Sequence, residues 1–424
     1  MKKVFAILLA GLMLVSIVAC NSDPAEQAGT EADSGEQTTA TVDGTGESEN
    51  TEPGQTESET ETETETETET ETETETEPDE ENELKTIDIY LIAGQSNAVG
   101  HSYVKNASAL YERAEGLKNG YTHVLYAGNA RSDTNSNTTL VNNEKSWQRV
   151  TLNLGRANGY MGPEAGMAEA LSRYYNEESG KTAGIIKLAH GGTCLRNATS
   201  GSSQHGNWVS PSYAEHLGVS FSGVTGGLYR ALLDQVAKNV AQLDDFDKIN
   251  IKGIYWMQGE SDRSNPTEYA IAFDYFVKDL RRDLSARMKE VTGTEDDLGA
   301  SEIAVFVGSI SETYHLYDGT VQNNVNKPFI AMQKNLCETI ERCIFVDNTR
   351  YEISYWDGTT EIVKGSDKHH WNQDDMLSIG INVGELMLKE CVYSEQYDEM
   401  WEDIYNNYGD GHYDEENSEW TSFQ

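Results

Sequence analysis

Short apolar segments alternate with amphipathic helical patterns along most of this chain, and this order limits the folds open to it. The apolar segments, each of a length typical of a buried strand, cover residues 87–93, 183–189, 249–256, 303–308 and 343–346. The helical patterns cover residues 162–175, 227–243, 267–291, 328–341 and 374–391. Buried strands that alternate with helices form parallel crossover units, so the sequence predicts an α/β fold with a doubly wound parallel sheet.

The first 20 residues have the composition of an export signal. Lys2 and Lys3 precede an apolar run over residues 4–18, which is too short to span a membrane, and Ala19 precedes Cys20. The last four of these residues, IVAC, are similar to a bacterial lipobox. We therefore expect a lipid anchor on Cys20 and a chain held outside the cytoplasm at the bacterial cell membrane or surface. An ordinary secretory signal with an incidental cysteine is the alternative.

Residues 21–83 are strongly acidic and contain few apolar side chains, and residues 56–77 are nearly pure Thr-Glu alternation. Residues 1–84 hold 24 acidic and 2 basic side chains, a net charge of −22 that leaves −19 of the total −41 for the rest of the chain. Like charges repel and extend such a segment, so the sequence predicts a disordered, solvated stalk. The acidic remainder argues against nucleic acid as a partner, because binding it requires basic patches.

The predicted folded domain covers residues 84–393, a normal size for one large α/β domain, and an acidic tail follows at residues 394–424. Four aromatic residues of the tail have helical spacing, which predicts a stripe that folds back on the domain; they are Tyr397, Trp401, Tyr405 and Tyr408. Such a stripe is a better explanation of the spacing than a separate binding module.

The cysteines after Cys20 are few and show no ligand-like spacing; they are Cys194, Cys337, Cys343 and Cys391. No metal or other cofactor is therefore expected. Export would permit a bridge between Cys337 and Cys343, and the sequence leaves that pairing open.

Three unusual polar segments directly follow predicted strands, and a fourth precedes the last helix. The first three are AGQSNAVG at 93–100, HGGTCLRN at 190–197 and MQGESD at 257–262, and the fourth is SDKHHWN at 366–372. Ligands of doubly wound sheets bind beyond the carboxyl ends of the strands. We therefore expect the four segments to converge on one edge of the sheet.

Ser96, in the first of these segments, is a candidate nucleophile. A serine hydroxyl is a poor nucleophile until a base takes its proton, and a third group must fix the tautomer of that base. His370 is the candidate base, and Asp367, three residues before it, can reach the imidazole Nδ1–H. His369 is a weaker candidate for the base, because it follows Asp367 by two residues rather than three.

Acyl transfer also needs donors aimed at the developing oxyanion. The backbone N–H of Ser96 is one candidate donor. The turn at Gly191 and Gly192 offers a second, because glycine lets the backbone approach a ligand closely. The side-chain amide of Gln258 offers a third.

Taken together and in order, these blocks resemble those of the SGNH hydrolases. The blocks are GQSN at 94–97, GGT at 191–193, WMQGESD at 256–262 and D-x-x-H at 367–370. Within that superfamily the chain is similar to the sialate O-acetylesterase and acetylxylan esterase group, carbohydrate esterase family six. The resemblance spans most of residues 87–388, and four ordered blocks are far more specific than any one of them.

The resemblance implies a three-layer α/β/α sandwich, and a serine that is acylated and then hydrolysed without metal to release acetate from a sugar hydroxyl. Carried over by position, Ser96 is the nucleophile and His370 the general base, while Gly191, Gly192 and Gln258 complete the oxyanion hole. In some members of the group the glutamate of the QGE block appears in the role of the acid, so Glu260 is the alternative to the preferred Asp367. The asparagine block of the wider superfamily is replaced here by Gln-Gly-Glu at 258–260.

Two long polar segments, residues 129–156 and 195–223, are expected to be surface loops that select the glycan. Trp147, Trp208 and Tyr213 are candidate sugar-stacking residues, with packing against the core as an equal alternative. Trp208, together with Gln95 and Asn97 beside the serine, is predicted to bind substrate.

The sequence thus predicts a serine esterase that acts on O-acetylated glycans at the cell surface. The runner-up is a non-catalytic glycan-binding lipoprotein that has kept the fold. An ordinary α/β-hydrolase is disfavoured because the G-x-S-x-G pattern is absent around Ser96.

Overall fold

The computed structural model describes residues 84–128, 147–198, 205–315, 321–351, 369–393, 411–414 and 419–422. Cys20, the stalk, Asp367 and the aromatic residues 397–408 lie outside these ranges, so the predictions that rest on them stay predictions. The same holds for residues 129–146 of the first long loop.

The strands in chain order are β1 Thr86–Gly94, β2 Ser102–Tyr103, β3 Val124–Gly128, β4 Gln148–Arg149, β5 Tyr160–Met161, β6 Thr182–Ala189, β7 Lys248–Met257, β8 Ala304–Gly308, β9 Tyr314–His315, β10 Val321–Gln322, β11 Cys343–Val346, β12 Gly411–Asp414 and β13 Glu419–Ser422. The α-helices are α1 Ser96–Val99, α2 Ala107–Arg113, α3 Glu164–Ser172, α4 Pro211–His216, α5 Gly227–Val240, α6 Pro266–Thr292, α7 Lys327–Thr339 and α8 Gln373–Cys391. Single 3₁₀ turns lie at Glu115–Lys118 and Ala300–Glu302.

The main sheet has seven strands in the order β11-β8-β7-β1-β6-β3-β4. All neighbouring strands are parallel except the edge pair β3 and β4. The chain therefore builds outward from β1 in both directions, which is the doubly wound order that the sequence predicts.

Each face of the sheet carries its own apolar core, because successive side chains of a strand point to opposite faces. Ile89 and Leu91 of β1 pack with residues of α5, α6 and α7. Tyr90 and Ile92, between and after them, pack with residues of α3 and α8 on the other face. The molecule is thus the expected three-layer α/β/α sandwich.

The five predicted strands correspond to β1, β6, β7, β8 and β11, and the five predicted helices correspond to α3, α5, α6, α7 and α8. The element bounds differ by at most three residues. The structure adds β3, the short pairs β2–β5 and β9–β10, and helices α1, α2 and α4. The second long loop is not wholly a surface loop, because residues 211–216 form α4 and residues 206–210 are buried.

Near the end of the chain, within the predicted acidic tail, β12 and β13 pair in an antiparallel hairpin. Cys337 and Cys343 are both free thiols, with 3.4 Å between their Sγ atoms. Within the described ranges, no helix is both long enough and apolar enough to cross a membrane.

A buried ion pair lies behind the helix that carries Ser96. Lys187 of β6 and Glu164 of α3 are in contact at 2.8 Å, and both side chains are almost fully buried. The Lys187 ammonium also donates to the carbonyl oxygens of Val99 at 3.0 Å and Leu154 at 3.1 Å. Since Val99 is the last residue of α1, Lys187 fixes the position of this short helix relative to the sheet.

Replacing Lys187 with methionine should lower the free energy of unfolding by about 3 kcal/mol, because the Glu164 carboxylate would stay buried without its cation. Urea unfolding would measure this loss. Lys278→Met is the matched control: it removes an exposed pair with Asp274, and we expect a loss below about 1 kcal/mol. Equal losses in the two variants would show that the buried pair does not stabilise the fold.

Candidate active site

The register of the sheet brings three of the four polar segments together. Gly94, the last residue of β1, pairs with Ala189 at the end of β6 and with Met257 at the end of β7. Gly94 has φ +143°, and a Cβ at this position would lie 2.1 Å from the Met257 carbonyl oxygen. Only glycine fits this close approach, which holds the AGQSNAVG and MQGESD segments side by side.

Ser96 begins α1 and is half-buried, whereas Asn97, Ala98 and Val99 of the same helix are buried. Gln95 precedes the helix, but its side chain does not cap it. The first-turn N–H groups of α1 are therefore not satisfied by that side chain, and they include the N–H that is predicted to stabilise an oxyanion.

The glycine turn after β6 lies directly against Ser96. A Cβ built on Gly191 would be 3.6 Å from Ser96 Cβ, and Gly192 has φ +66°. Thr193 Oγ1 closes the turn by donating to His190 O at 2.8 Å. The structure thus brings the Gly191–Gly192 turn to the predicted nucleophile, and the role of its N–H groups stays a prediction.

The side-chain amide of Gln258, a predicted oxyanion donor, makes its hydrogen bonds within the protein, and its role at the oxyanion stays a prediction. Its Nε2 donates to Asp262 Oδ2 at 2.7 Å, to Thr193 O at 3.0 Å and to Gln95 Oε1 at 3.3 Å. Turning the amide over would place its oxygen against three acceptors, so the network fixes its orientation. These bonds connect the turn at residues 190–193 to the QGESD segment.

Gln95 and Asn97 also make bonds within the protein. Gln95 Oε1 accepts from the Ser261 N–H at 3.2 Å. Asn97 Nδ2 donates to Glu260 Oε1 at 2.7 Å and to His369 O at 3.4 Å. These bonds connect α1 to the third and fourth segments beside it, and the predicted contacts of both side chains with substrate stay predictions.

The Glu260 carboxyl lies close to the candidate base. Burial raises the pKa of Glu260, while its own backbone N–H, the Asn97 amide and the charge of His370 act in the opposite direction. Its Oε2 is buried and accepts no hydrogen bond from any described residue. Glu260 is thus within electrostatic range of His370, whereas Asp367, the preferred acid, lies outside the described residues.

His370 lies just before α8 on a segment that buried side chains hold in place. Trp371 is fully buried, and its Nε1 donates to Tyr351 O at 3.0 Å. The Trp371 carbonyl accepts from Ser102 Oγ at 2.7 Å. Asn372 then caps α8 through its side-chain oxygen, so the helix start and the indole together fix where His370 stands.

Two residues of the site escape the sequence analysis. The ring of His101 stacks on that of His370, with 4.3 Å between centroids and 28° between planes. Arg156 Nη1 lies 3.2 Å from His101 Nδ1. The sequence signal that could have identified His101 is its position directly after Gly100. Gly100 has a left-handed conformation that ends α1 and turns the chain back toward the serine. His369 stands perpendicular to His370, with centroids 6.4 Å apart.

The aromatic residues of the long loops belong to the core. Trp208 is fully buried, and its Nε1 donates to Thr193 Oγ1 at 3.0 Å, so it has no exposed face on which a sugar could stack. Tyr213 is buried as well, and Trp147 Nε1 donates to Asn239 O at 3.1 Å while its ring packs against Gly184. The prediction that Trp208 binds substrate is wrong, and the indole instead supports the glycine turn from behind.

The Asp262 carboxylate contacts both the QGESD segment and the residues that follow the glycine turn. Its Oδ2 accepts from Leu195 N–H and from Gln258, and its Oδ1 lies 2.9 Å from Arg196 Nε. Burial raises the pKa of Asp262 to about 6, although these hydrogen bonds and the Arg196 charge act to lower it. The described residues contain no group of three His, Cys, Asp or Glu side chains that could hold a metal, and independence from metal stays a prediction.

The raised pKa of Asp262 gives stability a defined pH dependence. Between about pH 4 and about pH 6 the folded chain keeps the carboxyl proton and the unfolded chain has released it, so the free energy of unfolding falls as pH rises. Asparagine resembles the neutral acid and does not titrate. We expect Asp262→Asn to gain stability relative to the parent chain across this range, as urea unfolding at pH 4, 5, 6 and 7 would measure.

Burial also raises the pKa of Glu260 and of Glu385, so these acids add to the pH dependence of the free energy of unfolding. Their contribution is the same in the parent chain and in Asp262→Asn. The difference between the two stability curves therefore isolates Asp262. Parallel curves from pH 4 to 7 would contradict the prediction.

Three solved structures are similar to this chain at low identity. NanS is 15% identical, with 72% of this chain and 98% of that chain covered and a TM-score of 0.45. A protein from Arabidopsis thaliana is 17% identical, with 72% and 98% covered and a TM-score of 0.44. A carbohydrate acetylesterase from Xanthomonas citri is 14% identical, with 73% and 57% covered and a TM-score of 0.41.

No curated protein sequence matches the chain. The family model described as carbohydrate esterase, sialic acid-specific acetylesterase, matches residues 86–389, which is more than half of the 424 residues. This range contains β1 to β11, α1 to α7, α8 up to residue 389, and the four polar segments of the site. The chain therefore belongs to the sialic acid-specific acetylesterase family of carbohydrate esterases and is a carboxylic ester hydrolase.

Proposed function

We propose that this carbohydrate esterase releases acetate from O-acetylated glycans through an acetyl-enzyme on Ser96. The observation that carries the proposal is the position of Ser96. It is the half-buried first residue of a short helix at the carboxyl end of the central strand, and a Cβ built on Gly191 would lie 3.6 Å from Ser96 Cβ. A hydroxyl at such a point is accessible to a substrate carbonyl and adjacent to backbone N–H donors.

In the proposed first step, Ser96 Oγ attacks the acetyl carbonyl carbon and passes its proton to His370. The carbonyl oxygen takes up the negative charge beside the N–H groups of Ser96 and of the Gly191–Gly192 turn. The bond from the acetyl carbon to the sugar oxygen then breaks, and His370 returns the proton to the departing sugar hydroxyl.

In the second step a water molecule attacks the acetyl carbon of the acetyl-enzyme. His370 accepts a proton from this water and delivers it to Ser96 Oγ as the acyl–oxygen bond breaks. The products are acetate and the free serine, and the cycle uses no redox chemistry.

The family description supports O-acetylated sialic acid as the first substrate class to test, and acetylated xylan is the second. We further propose that the mature chain is lipid-anchored at Cys20 and held away from the membrane by residues 21–83. The motif at residues 17–20 and the acidic composition of the following segment support this location.

The test is acetate release by the full mature chain from O-acetylated sialic acid, acetylated xylan and acetylated mannan. A short incubation with p-nitrophenyl acetate, quenched in acid, should yield a peptide that contains Ser96 and carries one acetyl group by mass spectrometry. A folded chain that binds a glycan, releases no acetate and forms no adduct would favour the glycan-binding alternative.

A further inference from the structure

We propose that His101 is a positioning residue for His370, and that Arg156 keeps His101 neutral so that it can serve in this way. The proposal rests on the proposed function, because it concerns the base of that reaction. His101 and Arg156 lie outside the four polar segments that carry the predicted chemistry, although His101 directly follows the first.

The stacked geometry is the first observation. The His101 and His370 rings lie 4.3 Å apart at 28°, close to the offset parallel arrangement that aromatic rings favour. His370 must keep one ring orientation while a proton moves between it and Ser96. A second flat ring against its face restricts rotation about the bonds of the His370 side chain.

The second observation is that the backbone segments of the two histidines are joined. Ser102, the residue after His101, donates from Oγ to the carbonyl of Trp371, the residue after His370, at 2.7 Å. Ser102 and Tyr103 form β2, which pairs with β5. The hydrogen bond between Ser102 and Trp371 therefore fixes the two segments that carry the stacked rings. The position of the rings does not depend on their mutual contact alone.

Arg156 determines the protonation state of His101. A guanidinium has only donors, so Arg156 Nη1 at 3.2 Å requires His101 Nδ1 to be an acceptor. The His101 proton then lies on Nε2, and this nitrogen lies 3.9 Å from the point that a Cβ on Gly191 would occupy. Protonation of His101 would place a second N–H against a fixed positive charge.

The Arg156 side chain is itself positioned by the backbone around His101. The backbone N–H of Arg156 donates to Gly100 O at 3.0 Å, and the Arg156 guanidinium lies over the Tyr160 ring, 5.0 Å from the centroid. Tyr160 belongs to β5, the partner of β2. Arg156, His101 and the β2–β5 pair are thus connected to one another on the side of His370 that carries the stacked ring.

The neutral state of His101 matters because a charged ring would repel the imidazolium that His370 forms during the reaction. Among the described residues, the titratable and charged side chains around His370 include those of His101, His369 and Glu260, with Arg156 behind His101. By excluding the proton from His101, Arg156 leaves His370 as the ring that gains charge.

Steady-state kinetics of the full chain with p-nitrophenyl acetate, from pH 4 to 9, tests the proposal. His101→Ala removes the stacking ring, and we expect kcat to fall about tenfold or more while KM changes less than about twofold. His101→Phe keeps a flat ring and should retain clearly more of kcat than His101→Ala. Equal losses in the two variants, or kcat within twofold of the parent chain in a folded His101→Ala protein, would overturn the proposal.

The pH profile separates positioning from a merely structural role. Glutamine at residue 156 can accept as well as donate, so His101 would become free to take a proton. We expect the acidic limb of kcat/KM in Arg156→Gln to move to lower pH by about half a unit or more, and Arg156→Lys, which keeps a donor-only cation, to restore it. An unchanged acidic limb in Arg156→Gln would overturn the role of Arg156.

Two controls complete the design. His216→Ala changes an exposed histidine of α4 and should leave kcat and the pH profile unchanged. Ser96→Ala, measured in the same assay, separates the two levels of inference. Full activity in Ser96→Ala would refute the proposed function, whereas loss in Ser96→Ala with unaltered His101 variants would refute only the positioning role.

Discussion

Ser96→Ala should lower kcat for acetate release by about a thousandfold or more, with a folded chain and little change in glycan binding. The expectation follows from the proposed mechanism, since no acetyl-enzyme can form without the hydroxyl and only the oxyanion donors and bound substrate remain. Initial rates of acetate release from the best glycan substrate, together with equilibrium binding of the deacetylated glycan, would measure both parts.

Ser301→Ala is the matched control for this substitution. Ser301 is exposed in the turn before β8, at the end of the sheet opposite the site, and we expect its loss to change kcat less than about twofold. If Ser96→Ala kept more than a tenth of the activity, the nucleophile would have to be another group, and the acetyl-enzyme mechanism would fall.

The meeting of the polar segments at one edge of the sheet was predictable, because it depends on the alternation of strands and helices and not on the direction of individual side chains. A polar segment that follows a buried run must emerge at the carboxyl end of a parallel strand, so the neighbours of Ser96 and Gly191 could be expected to meet. The pairing of Gly94 with Ala189 and with Met257 shows the physical basis. Strand β3 was not predicted although it is longer than β11, because polar residues surround it and no predicted helix precedes or follows it directly.

Side-chain direction could not be predicted in the same way. The Gln258 amide can donate or accept, and only the positions of Asp262 Oδ2 and Thr193 O decide that its N–H groups point into the protein. Trp208 lies in a polar segment that reads as a surface loop, yet its ring is buried because the chain returns to the sheet there. His101 is a single histidine with no partner pattern in the sequence, and its role arises from the two-residue pairing of β2 with β5.

The identity of the acid behind His370 gives the second large prediction. Glu260→Gln should lower kcat about a hundredfold to a thousandfold, because a neutral amide cannot stabilise the imidazolium that forms during acyl transfer. Glutamine has nearly the same size and shape as glutamate, and its side-chain oxygen can still accept from Asn97 Nδ2, which lies 2.7 Å from Glu260 Oε1. The charge is therefore lost while the connection between α1 and the QGE segment is kept.

Asp367→Asn, measured beside it at neutral pH, decides between the two carboxylates. The spacing of Asp367 and His370 in the sequence favours Asp367, whereas the buried Oε2 of Glu260 and the influence of the His370 charge on that carboxyl favour Glu260. A loss in Asp367→Asn that far exceeds the loss in Glu260→Gln would return the role to Asp367 and leave Glu260 as a link to Asn97.

The pH dependence provides an independent check on the same assignment. Burial raises the pKa of Glu260, so its carboxylate is neutralised at a higher pH than an exposed glutamate would be. If Glu260 is the acid, the activity of the parent chain should fall as pH drops through that range, and the residual activity of Glu260→Gln should lack this component. An acidic limb of unchanged shape in Glu260→Gln would place the charge that supports His370 elsewhere, with Asp367 as the remaining candidate.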